Sequence, residues 1–343
     1  MEHFGFPTET VVIFVVVVAA SLAIDLSTRK TQREVTLSNA LLWSGFWVMV
    51  ALGFYLYLYL KFGATWANLY LTGYVLEKSL SVDNLMVFIA IFSSFAIHGA
   101  LQYRILYFGI LGALVLRGLF VVAGSSLFAM GSWVEYLFAV VVAWSGWKML
   151  TAGAGESEIK DYSHHWSVTM TGRFIPVLPR LHGDRLMLRA DEVARLSEQD
   201  PTLRVTRSAA RYATPAFLCL VVIEVSDIMF AFDSVPAVIA VTREPLLVYA
   251  AMIFAILGLR SLYFVLAALT RYLVHLAKAV IVLLFFIAGK LALSATNHIF
   301  HWPGVELSPN ASLMVVFGIL AAGVVASFIW PRQGVADSGK SPA

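Results

Sequence analysis

Three carboxylic acids, Glu224, Asp227 and Asp233, lie in the stretch Ile223–Ala240, IEVSDIMFAFDSVPAVIA, inside a segment apolar enough to cross a bilayer. An acid at mid-membrane costs roughly 3 kcal/mol on insertion scales, so three cost on the order of 9 kcal/mol if nothing compensates them. A chain sustains that where the acids face one another, a counter-charge, water or an ion. The bland alternative is a buried structural ion-pair cluster. An echo of the stretch, Glu77–Ile91 (EKSLSVDNLMVFIAI), carries Glu77 and Asp83.

The donor set is carboxylate, carboxamide and hydroxyl, with no Cys or His close by. Such oxygens suit hard divalent cations, Mn²⁺, Mg²⁺ or Ca²⁺, whereas Zn²⁺ and Cu⁺ favour nitrogen or sulfur. Glu77, Asp83, Glu224, Asp227 and Asp233 are therefore the candidate metal ligands, with Asn84, Ser226 and Ser234 as supporting ligands. Ser79 and Ser81 supply further oxygens, and Met229 reads as packing.

Glu77 and Asp83 are six residues apart, about 120° around a regular helix, and Glu224 and Asp233 are on nearly opposite faces. No continuous helix aims all of them at one ion. Either the helices break near the acids or two subsites exist. Pro236 predicts a break, because it cannot donate to the carbonyl of Phe232 beside Asp233. Arg117, Arg260 and Lys290 are candidate charge-balancing residues. They would neutralise the acids once an ion leaves, favouring exchange with protons, or else form structural pairs.

Residues so costly need elements to hold them, and the composition says which. The chain is 60% hydrophobic and 13% charged, with a mean hydropathy of +0.81. That excludes an ordinary soluble domain and predicts an all-α polytopic membrane protein embedded in the lipid bilayer. A net charge of +3 is no sign of nucleic-acid binding. The single cysteine, Cys219, rules out an intramolecular disulfide and reads as inert packing.

Nine spans are expected. Residues 1–62 hold two, from Val11 and over Ala40–Leu60; the N-terminus lacks the basic residues of a signal peptide, so the first is read as retained. Residues 63–152 hold Thr65–Ala96, Arg104–Met130 and Trp133–Ala152. Residues 212–298 hold Tyr212–Val241, Glu244–Leu269 and Tyr272–Thr296, and residues 299–343 hold Ser312–Trp330 and a polar tail. Thr65–Ala96 exceeds the roughly 20 residues needed to cross, so it tilts, breaks or extends along the interface. Asp25, near the end of the first span, reads as interfacial.

Between the halves lies a polar loop, 153–211, with nine Lys/Arg, eight Asp/Glu and too few apolar residues for an independent core. Asp191–Gln199 reads as a short helix. His164-His165 read as solvated. If the loop after the first span is cytoplasmic, sixteen cationic residues fall inside and two, Lys61 and Arg243, outside. The inside set includes Arg29, Lys30, Arg33, Arg104, Arg271, Arg332 and Lys340. By the positive-inside rule the N-terminus is outside and the C-terminus cytoplasmic.

The halves also echo each other. Aligning Asp83 with Asp233 places Glu77 on Asp227 and Asn84 on Ser234. With a short gap, Leu111–Phe120 falls on Ala255–Phe264, pairing Arg117 with Arg260, and Lys148 corresponds loosely to Lys290. Units of three spans, an odd number, enter the membrane in opposite directions. That is the inverted repeat of alternating-access transporters, whose substrate site lies near the midplane.

LTGYVLEKSLSVDN (Leu71–Asn84), VIEVSDIMFAFDSVPAVIAVT (Val222–Thr242) and FAILGLRSLYF (Phe254–Phe264) closely resemble the TerC family of integral membrane proteins, in particular its Alx-like members. The resemblance covers most of the chain from the second span to the ninth. It implies a nine-span bacterial inner-membrane protein of the lysine-exporter-type superfamily, linked to manganese efflux and, by name, to tellurium resistance. The acids expected to matter in such a protein map onto Glu77, Asp83, Glu224, Asp227 and Asp233.

The leading expectation is a Mn²⁺ exporter coupled to protons, with the ion as cargo and no resident cofactor. It is not an enzyme. An intramembrane aspartyl protease using Asp83 and Asp233 would leave the other acids and the arginines without a role, and no Gly-x-Gly-Asp precedes either residue. The alternative is a non-transporting scaffold or stress-response protein whose loop, 153–211, recruits cytoplasmic protein partners.

Overall fold

The computed structural model describes residues 2–3, 6–27, 36–128, 130–131, 133–151, 161–178, 180–181, 183, 185–199, 210–269, 275–300 and 307–330. Arg29, Lys30, Arg33, Arg271, Arg332 and Lys340, and parts of the 153–211 loop, lie outside the described residues.

Long runs of Val, Leu, Ile, Ala and Phe with few internal breakers become helices, the form in which an apolar segment satisfies every backbone group within itself. After a two-residue pairing of β1 (Glu2–His3) with β2 (Phe6–Pro7) come α1 (Thr8–Ser27) and α2 (Leu37–Phe62). Only Gly63, at φ +88°, separates α2 from α3 (Ala64–Ser94). Then follow α4 (Ala100–Phe128) and α5 (Trp133–Thr151).

The polar segment forms α6 (Trp166–Phe174), β3 (Met187–Arg189), α7 (Ala190–Gln199) and β4 (Arg211–Ala213). β3 and β4 pair antiparallel, Leu188 opposite Tyr212, and with Leu178 and Val193 these residues make a small apolar cluster. The short helix expected at Asp191–Gln199 is α7. The sheet and its cluster were not expected, and they dock at the start of α8 (Pro215–Thr242), where Thr214 Oγ1 donates to the carbonyls of Arg185 and Leu186.

The second half continues with α9 (Pro245–Ile256), α10 (Leu259–Leu269), α11 (Leu276–Phe300) and α12 (Pro309–Ile329). Each of the nine expected spans falls on one of these helices, the seventh on the pair α9 and α10. Among the described residues, six helices are long and apolar enough to cross a membrane, or seven if the α9–α10 pair, bent by 49°, is one span. α3 and α5 do not meet that measure; α3 carries Glu77, Lys78 and Asp83, and α5 carries Glu135 and Lys148.

α9 is apolar all round and buried nearly all round, as a helix at the centre of a bundle must be. α3 packs on α8 and on α9, α4 on α8 and on α9, and α5 along α11. Trp47 and Phe54 of α2 are buried in this core, whereas Leu42, Met49 and Leu60 point away from it.

The helix breaks differ from the expected ones. α8 runs unbroken through Pro236. One missing donor is tolerated when neighbouring helices hold both sides of the turn. The interruption comes instead at Leu257-Gly258, where Gly258 adopts φ +80° and Trp47 packs so closely that a Cβ would meet its Cγ at 2.7 Å. α3, likewise, is a single helix of 31 residues.

Candidate functional site

Arg117 of α4 is the hub of the buried charges. Its guanidinium forms an ion pair with Glu77 of α3, and its Nη2 donates to Asp227 Oδ1 of α8 at 3.3 Å. All three residues are buried: Glu77 is 0% exposed, Arg117 2% and Asp227 4%. Three helices are thus tied by one cation. Removing one member of such a group leaves an uncompensated buried charge, at a cost of about 3–5 kcal/mol.

Glu224 precedes Asp227 by three residues on α8, so the two share a face. Its carboxyl group lies on the backbone of α4 at Gly112, in space that any side chain there would fill. Gly112 is therefore part of the site, because it lets an acid of α8 rest against α4. Sequence reasoning missed it: glycine carries no chemistry of its own, and the close approach is tertiary.

Asp83 and Asn84 lie about two turns further along α3. Asp83 Oδ2, Asn84 Nδ2, Ser81 Oγ, Asp227 Oδ2 and Ser234 Oγ are all buried, and none has a hydrogen-bond partner among the described residues. Buried polar atoms are rarely left so. Ser226, by contrast, spends its proton on the Val222 carbonyl at 2.8 Å.

Asp233 belongs to a separate group. Ser145 of α5 donates to its Oδ1 at 2.6 Å, and Lys148, one turn along α5, is within electrostatic range. α8 therefore presents Glu224 and Asp227 towards α3 and α4, and Asp233 towards α5. Among the described residues, no three Asp, Glu, His or Cys side chains converge as a ready-made metal centre.

The other two candidate charge-balancing residues lie elsewhere. Arg260, at the second position of α10, pairs with Asp25 of α1 at 2.7 Å and stacks on the Tyr103 ring at 4.1 Å. Asp25, expected at the interface, is 9% exposed. Lys290 lines a cavity with Arg243 and Glu244, next to the end of α8.

Lys78 was missed altogether. Its Nζ donates to the Ala255 carbonyl at 3.0 Å and reaches the Leu257 carbonyl at 3.5 Å. Those are carbonyls that the bend after α9 leaves without a helical donor. The available signal was a second charge beside Glu77 in a membrane segment.

The chain is similar to known integral membrane proteins. The model of the family described as "Integral membrane protein TerC family" matches residues 62–334. A protein of Serratia marcescens named "Tellurium resistance protein TerC" is 53% identical over 335 residues, covering 96% of each chain. One of the same name from Alcaligenes sp is 51% identical over 343 residues, covering 99% of each. The "Putative membrane-bound redox modulator Alx" of Escherichia coli (strain K12) is 37% identical over 318 residues, 90% of each chain. No solved structure matches. With the family model and full-length relatives in agreement, the chain belongs to the TerC family of integral membrane proteins.

Proposed function

We propose that this protein exports a divalent cation, Mn²⁺ first among candidates, across a bacterial inner membrane in exchange for protons. The observation that carries the reading is the set of buried oxygens without a hydrogen-bond partner among the described residues on two helices of the Arg117 triad, Asp83 Oδ2 and Ser81 Oγ of α3 and Asp227 Oδ2 and Ser234 Oγ of α8. These are hard oxygens in a polytopic membrane protein, and a hard cation or a proton satisfies them.

Arg117 acts in this scheme as a tethered cation. It lies between Glu77 and Asp227, where a metal would bridge the same two carboxylates. Loading then requires the guanidinium to keep Glu77 and give up Asp227. Unloading returns it, so the acids are never left bare. Glu224 and Asp233, on the two faces of α8, are the proton carriers of the scheme.

The helix packing supports an inverted repeat of spans three to five and six to eight within a nine-span topology. Glu77 and Asp227, equivalent in the repeat alignment, meet at Arg117. Exchanging α3 with α8 and α4 with α9 turns the α4–α8 packing into the α3–α9 packing, and both occur. The cationic-residue bias supports an N-terminus outside and a C-terminus and 153–211 loop in the cytoplasm.

The names of the Serratia and Alcaligenes relatives bring tellurium resistance to this chain as an indirect role. Clustered carboxylates repel an oxyanion, so resistance would follow from metal balance rather than tellurite transport. No enzymatic step is proposed for the acids.

The test is Mn²⁺ flux in proteoliposomes with an internal pH dye, comparing wild type with Asp227→Asn and Asp233→Asn. Metal movement with opposing proton movement, lost in both variants, is the expected result. Running Mg²⁺, Ca²⁺ and Fe²⁺ in parallel fixes the preference. Absence of flux from a folded protein under every gradient would transfer the case to a membrane scaffold acting through its loop.

A further inference from the structure

A second polar site lies apart from the acids. A cavity of about 300 Å³ opens where the end of α8 meets the latter half of α11 and the start of α12. Lys290, Ser294 and Asn297 line it from one face of α11, spaced by four and three residues as one helical face requires. Thr242, Arg243 and Glu244 line it from the α8–α9 junction, where Arg243 adopts φ +59°.

The hydrogen-bonding balance of this cavity is lopsided. Arg243 donates to Glu135 Oε2 at 3.5 Å and to Ser294 Oγ. Glu135 is buried and is shared with His298 Nδ1, at 3.2 Å. Ser294 accepts from Arg243, so its own proton is available to another acceptor. Asn297 Nδ2 is buried with no hydrogen-bond partner among the described residues. No hydrogen bond or ion pair of the Lys290 ammonium occurs among the described residues, and Arg243 repels it. Glu244 is the one carboxylate among the lining residues.

Arg243 is already paired with Glu135, so one unpaired cation, Lys290, and two further donors, Ser294 and Asn297, face a space lined by one acid, Glu244. A metal ion would meet like charge there, and an uncharged solute would leave the ammonium without a counter-charge. We propose that this cavity binds a small anion presenting two or more oxygens, a carboxylate or a tetrahedral oxyanion. Lys290 supplies the unmatched charge, Arg243 fixes Ser294 from its pair with Glu135, and Ser294 and Asn297 set the orientation. Glu244 opposes binding and keeps the affinity moderate, as suits a site that must release its ligand.

The test is calorimetric titration of the purified full-length protein in detergent with sodium sulfate and, separately, sodium acetate, with sodium chloride as the ionic-strength control. Saturable binding of either anion is expected; sulfate alone would mark an oxyanion site and acetate alone a carboxylate site. Loss of a charged hydrogen bond in Lys290→Met weakens binding by about tenfold or more. Lys290→Arg keeps the charge and stays within about threefold, and Glu244→Gln tightens binding because it removes the opposing charge. Asn297→Ala, which weakens binding by roughly threefold, replaces Lys290→Met should that variant not fold. No saturable binding in wild type, or unchanged affinity in the variant that removes the donor, would overturn the proposal.

Discussion

Arg260 Nη2 donates to Asp25 Oδ1 at 2.7 Å and to the Asp25 carbonyl at 2.8 Å, so the end of α1 is bound to the start of α10. Both side chains are largely buried, at 4% and 12% exposure. Asp25→Ala leaves a buried guanidinium without its carboxylate and is expected to cost about 3–5 kcal/mol. Asp25→Asn keeps an acceptor and costs less, about 1–2 kcal/mol. Thermal unfolding of the detergent-purified variants measures the order; equal midpoints for wild type and Asp25→Ala would show that the pair is not structural.

Arg117 offers a coupling test. Arg117→Leu strands Glu77 and Asp227 as buried acids, and stability should fall by about 3–5 kcal/mol. Adding Asp227→Asn removes one stranded charge. The double variant should therefore recover about 1–3 kcal/mol relative to Arg117→Leu, a coupling of the size seen within one ion-pair network. Additive losses would place Asp227 outside the network that Arg117 organises.

Gly112 separates site geometry from overall packing. A methyl group at this position would overlap the Glu224 carboxyl, whose three atoms are the nearest to it. Gly112→Ala is expected to displace Glu224 with a modest stability loss, about 1–3 kcal/mol. Cation flux should fall at least as much as in Glu224→Gln. Normal flux in Gly112→Ala would remove Glu224 from the pathway.

Much of this was legible in the sequence because membrane insertion makes charge conspicuous. Glu77, Asp83, Asp227 and Arg117 stand out in apolar runs by residue type alone, and their helices follow from the length of those runs. Their partners do not follow. Arg117 and Arg260 look alike in sequence, yet one meets two acids of the bundle interior and the other meets Asp25. Asp25 looked interfacial because it ends an apolar run, and only tertiary packing buries it. The break was misplaced for a similar reason. Pro236 advertises a lost donor locally, but the packing of α8 absorbs it. Gly258 bends the chain because φ is positive and Trp47 leaves no room for a side chain, which no local pattern announces.

That bend gives the last prediction. Lys78 reaches from α3 to the carbonyls of Ala255 and Leu257, joining the acid-bearing helix to the α9–α10 break. Charged hydrogen bonds of this kind are worth about 1.5–3 kcal/mol, and a buried carbonyl left bare adds a desolvation cost. Lys78→Met should therefore lower the unfolding midpoint and speed amide exchange across residues 256–262, while leaving exchange in α5 and α11 unchanged. Gly258→Ala attacks the same bend from the other side, by strain at positive φ and collision with Trp47, and is expected to cost about 2–4 kcal/mol. If Lys78 acts through the bend, the two losses combine to less than their sum, because either substitution alone already loosens it. Strictly additive losses, or faster exchange spread evenly over the bundle in Lys78→Met, would show that Lys78 stabilises α3 alone.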